Sequence, residues 1–241
     1  MDTLKLNKGN IKMIAHRGLS GIERENTAAA FVAAGNRSYF GIETDVHRTA
    51  DGKYIIIHDD ITDRVAVDHY SVEQTDFDTL RNLKLIDMNG EKDRGDLIMP
   101  TLEEYISICK KYEKTAVLEL KNHMAEDVIL EIVDIVKGMG YLESTVFISF
   151  SLENLITLRK TYPLQPAQYL VGEIPDIHEM VNILKKYHLD IDAFFGSITK
   201  EIAEELHHHD IKINVWTVDS LEDAEKMIEI GVDYITTDII E

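Results

Sequence analysis

Gly41-Ile42-Glu43-Thr44-Asp45-Val46-His47-Arg48-Thr49-Ala50-Asp51-Gly52-Lys53-Tyr54-Ile55-Ile56-Ile57-His58-Asp59 is the stretch on which the fold turns. Two strand-like runs, 41–46 and 54–57, flank Asp51-Gly52. That dipeptide is a strong hairpin signal, because Gly and Asp tolerate the positive φ of tight turns. A chain folding back there places Asp45 and His58 symmetrically about the turn, facing one another. The 54–57 run then reads as an antiparallel return strand. Glu43 and Asp45 are two residues apart on one strand, so both side chains point to the same face.

Outward from the hairpin, further strand patterns fall at 11–15, 115–120, 145–149, 167–171, 192–195, 212–216 and 233–236. Helical periodicity occupies 25–34, 102–112, 125–139, 152–161, 176–187, 200–208 and 221–230. Thr101 with Glu104 and Ser220 with Asp223 have capping-box spacing, and Gly140 and Gly231 follow helices as terminating glycines do. Nine strands are one too many for an eight-stranded barrel. Removing the hairpin return leaves eight with helices between them, the alternation of a parallel sheet. The expected fold is therefore α/β, a (β/α)8 TIM barrel. It carries a β-hairpin and an inserted segment at about 60–99, within a single domain over 1–241. A doubly wound open sheet competes, but no glycine-rich phosphate loop follows the first strand. No helical pattern follows the last strand, so either that helix is missing or N-terminal residues cover part of the gap.

The chain has 241 residues and a formal net charge of −19. That charge argues against nucleic acid and against stable association with anionic membranes. No apolar run approaches the roughly 20 residues that span a bilayer, and Met1 to Asn10 lacks the apolar stretch of a secretory signal. Cys109 is the only cysteine and reads as buried helix core. A reducing, cytoplasmic setting is expected. A strongly acidic enzyme acting on an anion needs local cations, so Arg, Lys and a bound metal are sought together.

In a parallel barrel, chemistry sits at the C-terminal ends of the strands. Those ends carry His16-Arg17-Gly18, Glu43 with Asp45, His58-Asp59, Glu119-Leu120-Lys121 and Trp216-Thr217-Val218-Asp219. Converging in one mouth, Glu43, Asp45 and Glu119 would repel by about 4 kcal/mol per pair at about 4 Å and an effective dielectric near 20. One divalent cation resolves this, and an all-oxygen set suits Mg²⁺ or Ca²⁺, with Mn²⁺ also compatible. The competing reading pairs the acids with Arg17 and Lys121 as structural ion pairs. His16 and His58 can take and give protons near neutral pH, as phosphodiester cleavage requires. Arg17 can grip a phosphate bidentately and Lys121 adds a point charge. Trp216 fits barrel packing and a pocket wall equally. His207-His208-His209, His47 and His69 lie away from the strand ends and read as surface.

These residues form a known pattern. Ile14-Ala15-His16-Arg17-Gly18, Glu25-Asn26-Thr27, Gly41-Ile42-Glu43-Thr44-Asp45-Val46, Thr49-Ala50-Asp51-Gly52 and Ile57-His58-Asp59 resemble, in order and spacing, the glycerophosphodiester phosphodiesterase family. Met99-Pro100-Thr101-Leu102-Glu103-Glu104 resembles the stretch closing that family's insertion. Glu119-Leu120-Lys121 resembles its second acidic motif, and Val215-Trp216-Thr217-Val218 its late tryptophan strand. The resemblance implies His16 and His58 as acid and base, Glu43, Asp45 and Glu119 as metal ligands, and Arg17 and Lys121 as phosphate holders. Trp216 would contact the glycerol or head-group side, while Glu25 and Asn26 position the first loop and start its helix. The implied activity is metal-dependent hydrolysis of a small-molecule glycerophosphodiester to glycerol 3-phosphate and an alcohol. Two alternatives stand beside it: a related barrel enzyme acting on a lysophospholipid or phosphoinositide head group, and a non-catalytic phosphodiester-binding barrel.

Overall fold

The computed structural model describes residues 2–92 and 94–241, and in it the decisive stretch is a hairpin. Strand β1 (Lys12–Ala15) leads through helix α1 (Ala28–Gly35) to β2 (Gly41–Arg48), and β3 (Tyr54–Ile56) returns antiparallel to β2. The chain continues through α2 (Phe77–Arg81), α3 (Leu102–Lys111), β4 (Thr115–Leu120), α4 (Glu126–Gly138), β5 (Thr145–Ser149) and α5 (Leu152–Thr161). Then follow β6 (Ala167–Val171), α6 (Ile177–Tyr187), β7 (Asp190–Phe194), α7 (Lys200–His208), β8 (Ile213–Trp216), α8 (Leu221–Ile230) and β9 (Tyr234–Thr237). Apart from β3, the strands pair in parallel in chain order and β9 closes onto β1. The result is the expected (β/α)8 barrel.

The hairpin register differs from expectation by one residue. Val46 faces Ile56 and Arg48 faces Tyr54, and the Ile57 amide donates to the Asp45 carbonyl at 3.2 Å. Asp45 is therefore opposite Ile57, not His58. The cause is a three-residue loop: Thr49 and Lys53 close it, the Thr49 amide donating to the Lys53 carbonyl at 2.8 Å. The Lys53 amide donates back to Thr49 Oγ1 at 3.0 Å. Gly52 closes the turn at φ +79°, a left-handed conformation that glycine adopts without steric penalty. His58 thus lies beyond the last ladder pair, towards the barrel mouth.

Alternation along the strands separates two cores. Ile14, Val117, Ile148 and Leu170 pack inside the barrel. Ile42, Leu118, Phe147, Ile191 and Ile213 face outward and are covered by the helices. Truncating one of these to Ala would cost about 3–5 kcal/mol for Phe147. Continued by twos, the inward face of β4 runs from Val117 to Glu119 and Lys121, which brings those charges to the mouth.

Local chemistry sets the boundaries. The pattern at 25–34 begins late, because Asn26 sits at φ 52° and Thr27 caps the helix, accepting from Ala30 N. Both bonds of the Thr101–Glu104 capping box form, whereas Ser220 accepts from the Asp223 amide without the return bond to the cap amide. Among the described residues no helix follows β9. Instead Leu4 and Leu6 pair with 239–241, and Ile240 is fully buried in the outer core. N-terminal residues do cover that end.

The inserted segment has its own apolar cluster, including Val65, Val72, Leu80 and Leu97, joined to Ile55 and Ile57 of the hairpin. Among the described residues no helix is long and apolar enough to cross a membrane.

Candidate active site

Glu43 and Asp45 from β2 and Glu119 from β4 each present a carboxylate oxygen, the three lying within 4.8 Å of one another and all buried. Asp45 and Glu119 are direct neighbours in the parallel register. Two cations brace the group. Lys121 Nζ is 3.0 Å from Glu119 and 3.5 Å from Asp45. Arg17 Nε is 3.8 Å from Asp45 Oδ2, while the Arg17 amide donates to Glu43 Oε2 at 2.8 Å.

Two cations do not balance three acids under burial. Burial, and then the Asp45 charge, push the Glu43 carboxyl well above its usual range and the Glu119 carboxyl up to about 8. For Asp45 burial acts upward, but Lys121, Arg17 and His58 outweigh it and hold the carboxyl low. Asp45 Oδ1 and Arg17 Nε are buried without a hydrogen-bond partner. A divalent ion fits this chamber: it would replace the retained protons and use the unsatisfied carboxylate oxygen. The competing ion-pair reading accounts for Lys121 and Arg17 but leaves those two atoms and the raised Glu43 and Glu119 unexplained.

The two histidines flank the acids, each gripped by a carboxylate. His16 follows β1, and its Nδ1 is 2.7 Å from Oδ1 of Asp238, which follows β9. Ser20 Oγ donates to the same oxygen at 2.8 Å. His58 Nδ1 is 2.7 Å from Asp59 Oδ1, and Arg64 Nε donates to Asp59 Oδ2 at 2.7 Å. A carboxylate on Nδ1 selects the tautomer that leaves Nε2 free for proton transfer. Burial lowers the His58 imidazole from its ordinary range, the Asp45 charge opposing that shift.

Asn26 and Glu25 work on the acids and the arginine rather than on the helix start. Asn26 Nδ2 donates to Asp45 Oδ2 at 2.8 Å, and its Oδ1 accepts from Thr44 at 2.6 Å. Glu25 Oε1 accepts from Arg17 at 2.9 Å and from Arg64 at 2.9 Å. Arg17 itself stands at φ 54°, a conformation unfavourable for a side-chain-bearing residue and held here by these bonds. Gly18 follows, where a Cβ would come within 2.7 Å of Ala30.

The sequence profile of the glycerophosphoryl diester phosphodiesterase family matches residues 16–241. The chain belongs to that family. A glycerophosphodiester phosphodiesterase of Caldanaerobacter subterraneus subsp. tengcongensis is 33% identical, over 94% of this chain and 93% of its own. A crystal structure of a glycerophosphodiester phosphodiesterase from Parabacteroides distasonis superposes with a TM-score of 0.78 at 30% identity, covering 95% of this chain and 93% of that one. An Oleispira antarctica phosphodiesterase, solved in complex with the product sn-glycerol-3-phosphate, shares the fold. Its TM-score is 0.86 at 23% identity, covering 97% of this chain and 95% of that one.

Within this phosphodiesterase family member, the residues expected at the strand ends assemble, and two that the sequence did not mark join them. Asp238 is 222 positions from His16, and no local spacing announces it. Arg64 lies in the charged insertion, where nothing distinguishes it from its neighbours. Asp59 was visible as the residue after His58, but not its grip on the ring. Trp216 is neither plain core nor free: its Nε1 donates to the Asp192 carbonyl at 3.2 Å, and its ring meets Phe150 edge-on at 5.7 Å. His47 is not on the surface. It is fully buried, with Nδ1 3.1 Å from Glu73 of the insertion. His69, His207 and His208 are exposed, as expected, and His209 is half-buried.

Proposed function

We propose that this chain hydrolyses glycerophosphodiesters to glycerol 3-phosphate and an alcohol, with His16 and His58 as the proton-transferring pair. The observation that carries this reading is the convergence of three buried acids and two carboxylate-held imidazoles at one barrel mouth. Glu43, Asp45 and Glu119 would hold one divalent cation, Mg²⁺, Ca²⁺ or Mn²⁺, which when bound supplies a Lewis acid beside the phosphate.

The chain's own residues supply the rest. Arg17 and Lys121 orient and neutralise the phosphate oxygens. One imidazole removes the proton of the glycerol hydroxyl next to the phosphoester, and the oxygen forms a bond to phosphorus. The phosphorus–alcohol bond breaks as the other imidazole protonates the departing oxygen. Water then opens the cyclic phosphate with the histidine roles exchanged, giving glycerol 3-phosphate. Among the described residues no serine or cysteine side chain pairs with either histidine as a nucleophile, and proximity of the internal hydroxyl is worth about 7–11 kcal/mol.

We read the whole chain as one barrel domain whose insertion at about 60–99 supports the site. The net charge of −19 supports a small-molecule partner rather than nucleic acid or an anionic membrane. The single buried Cys109 supports a cytoplasmic setting.

The test is release of glycerol 3-phosphate from a panel of deacylated phospholipids. Dialysis against chelator should abolish it, and Mg²⁺, Mn²⁺ or Ca²⁺ should restore it. No product from any diester with any of these ions would overturn the function. Full activity in protein shown metal-free by elemental analysis would overturn the metal assignment.

A further inference from the structure

We propose that Glu73, an acid of the insertion, is a positioning residue that holds the His58 backbone through His47 and the Lys121 turn through Asn122. The proposal rests on the phosphodiesterase reading above and adds to it three residues that act only through others.

His58 stands beyond the last pair of the hairpin ladder, where sheet bonding no longer fixes the chain. Among the described residues its carbonyl has one hydrogen-bond partner, His47 Nε2 at 3.4 Å. His47 lies two residues beyond Asp45 on β2, on the face that carries Glu43 and Asp45, and it is fully buried. Its Nδ1 is 3.1 Å from Glu73 Oε1. A carbonyl and a carboxylate only accept, so the ring serves each contact as a donor. The imidazole is thus a bridge from the insertion to the backbone of a proton-transferring histidine.

The same Glu73 oxygen accepts from Asn122 Nδ2 at 3.0 Å. Asn122 directly follows Lys121, at φ 55°, a left-handed conformation that asparagine visits more readily than most residues. Its Nδ2 also donates to Asp60 Oδ1 at 2.9 Å, and its carbonyl accepts from Asn154 of α5 at 2.7 Å. The turn that leaves Lys121 among the acids is therefore pinned by the insertion, by the residue two beyond His58 and by α5.

Glu73 sits in a single 3₁₀ turn, Val72–Gln74, and is exposed. Backbone bonds fix that turn: the Ala50 amide donates to the Thr75 carbonyl at 3.1 Å and the Val72 amide to the Asp60 carbonyl at 2.9 Å. No Lys or Arg lies within 4 Å of the Glu73 carboxylate among the described residues. The His47 bond, with Asn122 behind it, outweighs burial and holds the carboxyl below its ordinary range. Packing alone would be served as well by an apolar side chain at position 47. A buried ring with both nitrogens engaged carries a desolvation cost that only those bonds offset.

The experiment measures kcat, KM and the urea midpoint with Mg²⁺ on the most rapidly cleaved diester of the panel above. Glu73→Ala should lower kcat by about 10-fold and raise KM by about 3-fold, as loss of a supporting partner behind a site residue does. Glu73→Gln keeps an acceptor oxygen and should recover most of both. His47→Phe should act on kcat and Asn122→Gly mainly on KM. Glu73→Ala combined with His47→Phe should cost no more in kcat than the larger single loss, because the two lie on one path. Unchanged kcat and KM in Glu73→Ala beside a lowered urea midpoint, or additive kcat losses in the double variant, would overturn the proposal. The imidazole NMR resonances of His58, assigned with His58→Gln, test the link without turnover. They should shift in Glu73→Ala and return towards wild type in Glu73→Gln. That response in a protein that cleaves no diester would overturn the phosphodiesterase reading and leave the link standing. Cleavage with His58 unmoved would overturn the link alone.

Discussion

His16 and His58 reach the same chamber from different kinds of structure. His16 follows barrel strand β1, and the Asp238 that holds it follows the neighbouring β9, so closure of β9 onto β1 sets their distance. His58 follows a hairpin strand that is no stave of the barrel. Its Asp59 is steadied by Arg64, which belongs to the insertion and also reaches Glu25, the brace of Arg17. One side of the site is therefore fixed by the barrel, the other by the segment that interrupts it. The insertion is part of the candidate site's framework, although its composition reads as plain charged surface.

The largest expected effect tests whether the two histidines act on a shared intermediate. A diester whose glycerol hydroxyl next to the phosphoester is removed or methylated should bind, yet turn over at least about 10³-fold more slowly. A synthetic cyclic glycerol phosphate should be hydrolysed by the same protein. Rapid cleavage of the deoxy diester would mean direct attack by water and no exchange of roles.

Next in size, His16→Ala and His58→Ala should each lower kcat by about 10²–10⁴-fold, with the circular dichroism unchanged. The same substitution at exposed His208 should be close to neutral. If His58→Ala kept wild-type kcat, the hairpin side would have no place in the chemistry.

The comparison sharpens with the groups behind the rings. Asp238→Asn should reduce kcat by roughly 10–100-fold, as loss of a carboxylate that orients an imidazole does. Arg64→Ala should act more weakly on kcat but also raise KM, because Glu25, which braces Arg17, loses a partner with it. An Arg64→Ala enzyme with both constants unchanged would confine the site to the barrel alone.

The smallest effect concerns the segment that follows β9. Glu241 accepts from Lys5 at 2.7 Å, Thr3 at 2.8 Å and the Ser38 amide at 2.8 Å. Burial opposes its charge, but these bonds outweigh it and hold the carboxyl at about 2. A depressed folded-state value contributes stability above the ordinary value near 4.5, and that stability is lost as pH falls from there towards 2. Lys5 is largely exposed, so screening reduces the contribution to about 1–2 kcal/mol. Glu241→Gln should lower the urea midpoint at pH 7 and leave it nearly unchanged near pH 2. An equal loss at both pH values would show that packing, not charge, ties this segment.

Sequence by itself determined the barrel, because strand alternation and helical periodicity are local properties of the chain. It also marked the acids and histidines of the candidate site. In a parallel barrel the strand ends share one mouth, so spacing by twos from Glu43 to Asp45 and from Glu119 to Lys121 sets their common direction before any contact is known. Only the tertiary structure decided the rest. The three-residue loop at Gly52 set the hairpin register, since Asp-Gly is compatible with loops of either length. Closure of the sheet brought Asp238 to His16, and folding of the insertion brought Arg64 to Asp59 and Glu25 and buried His47 against Glu73. These partners lie far apart along the chain or in irregular backbone, where no period constrains them. Their encounters arise from the packing of whole elements, which leaves no trace in the neighbouring residues.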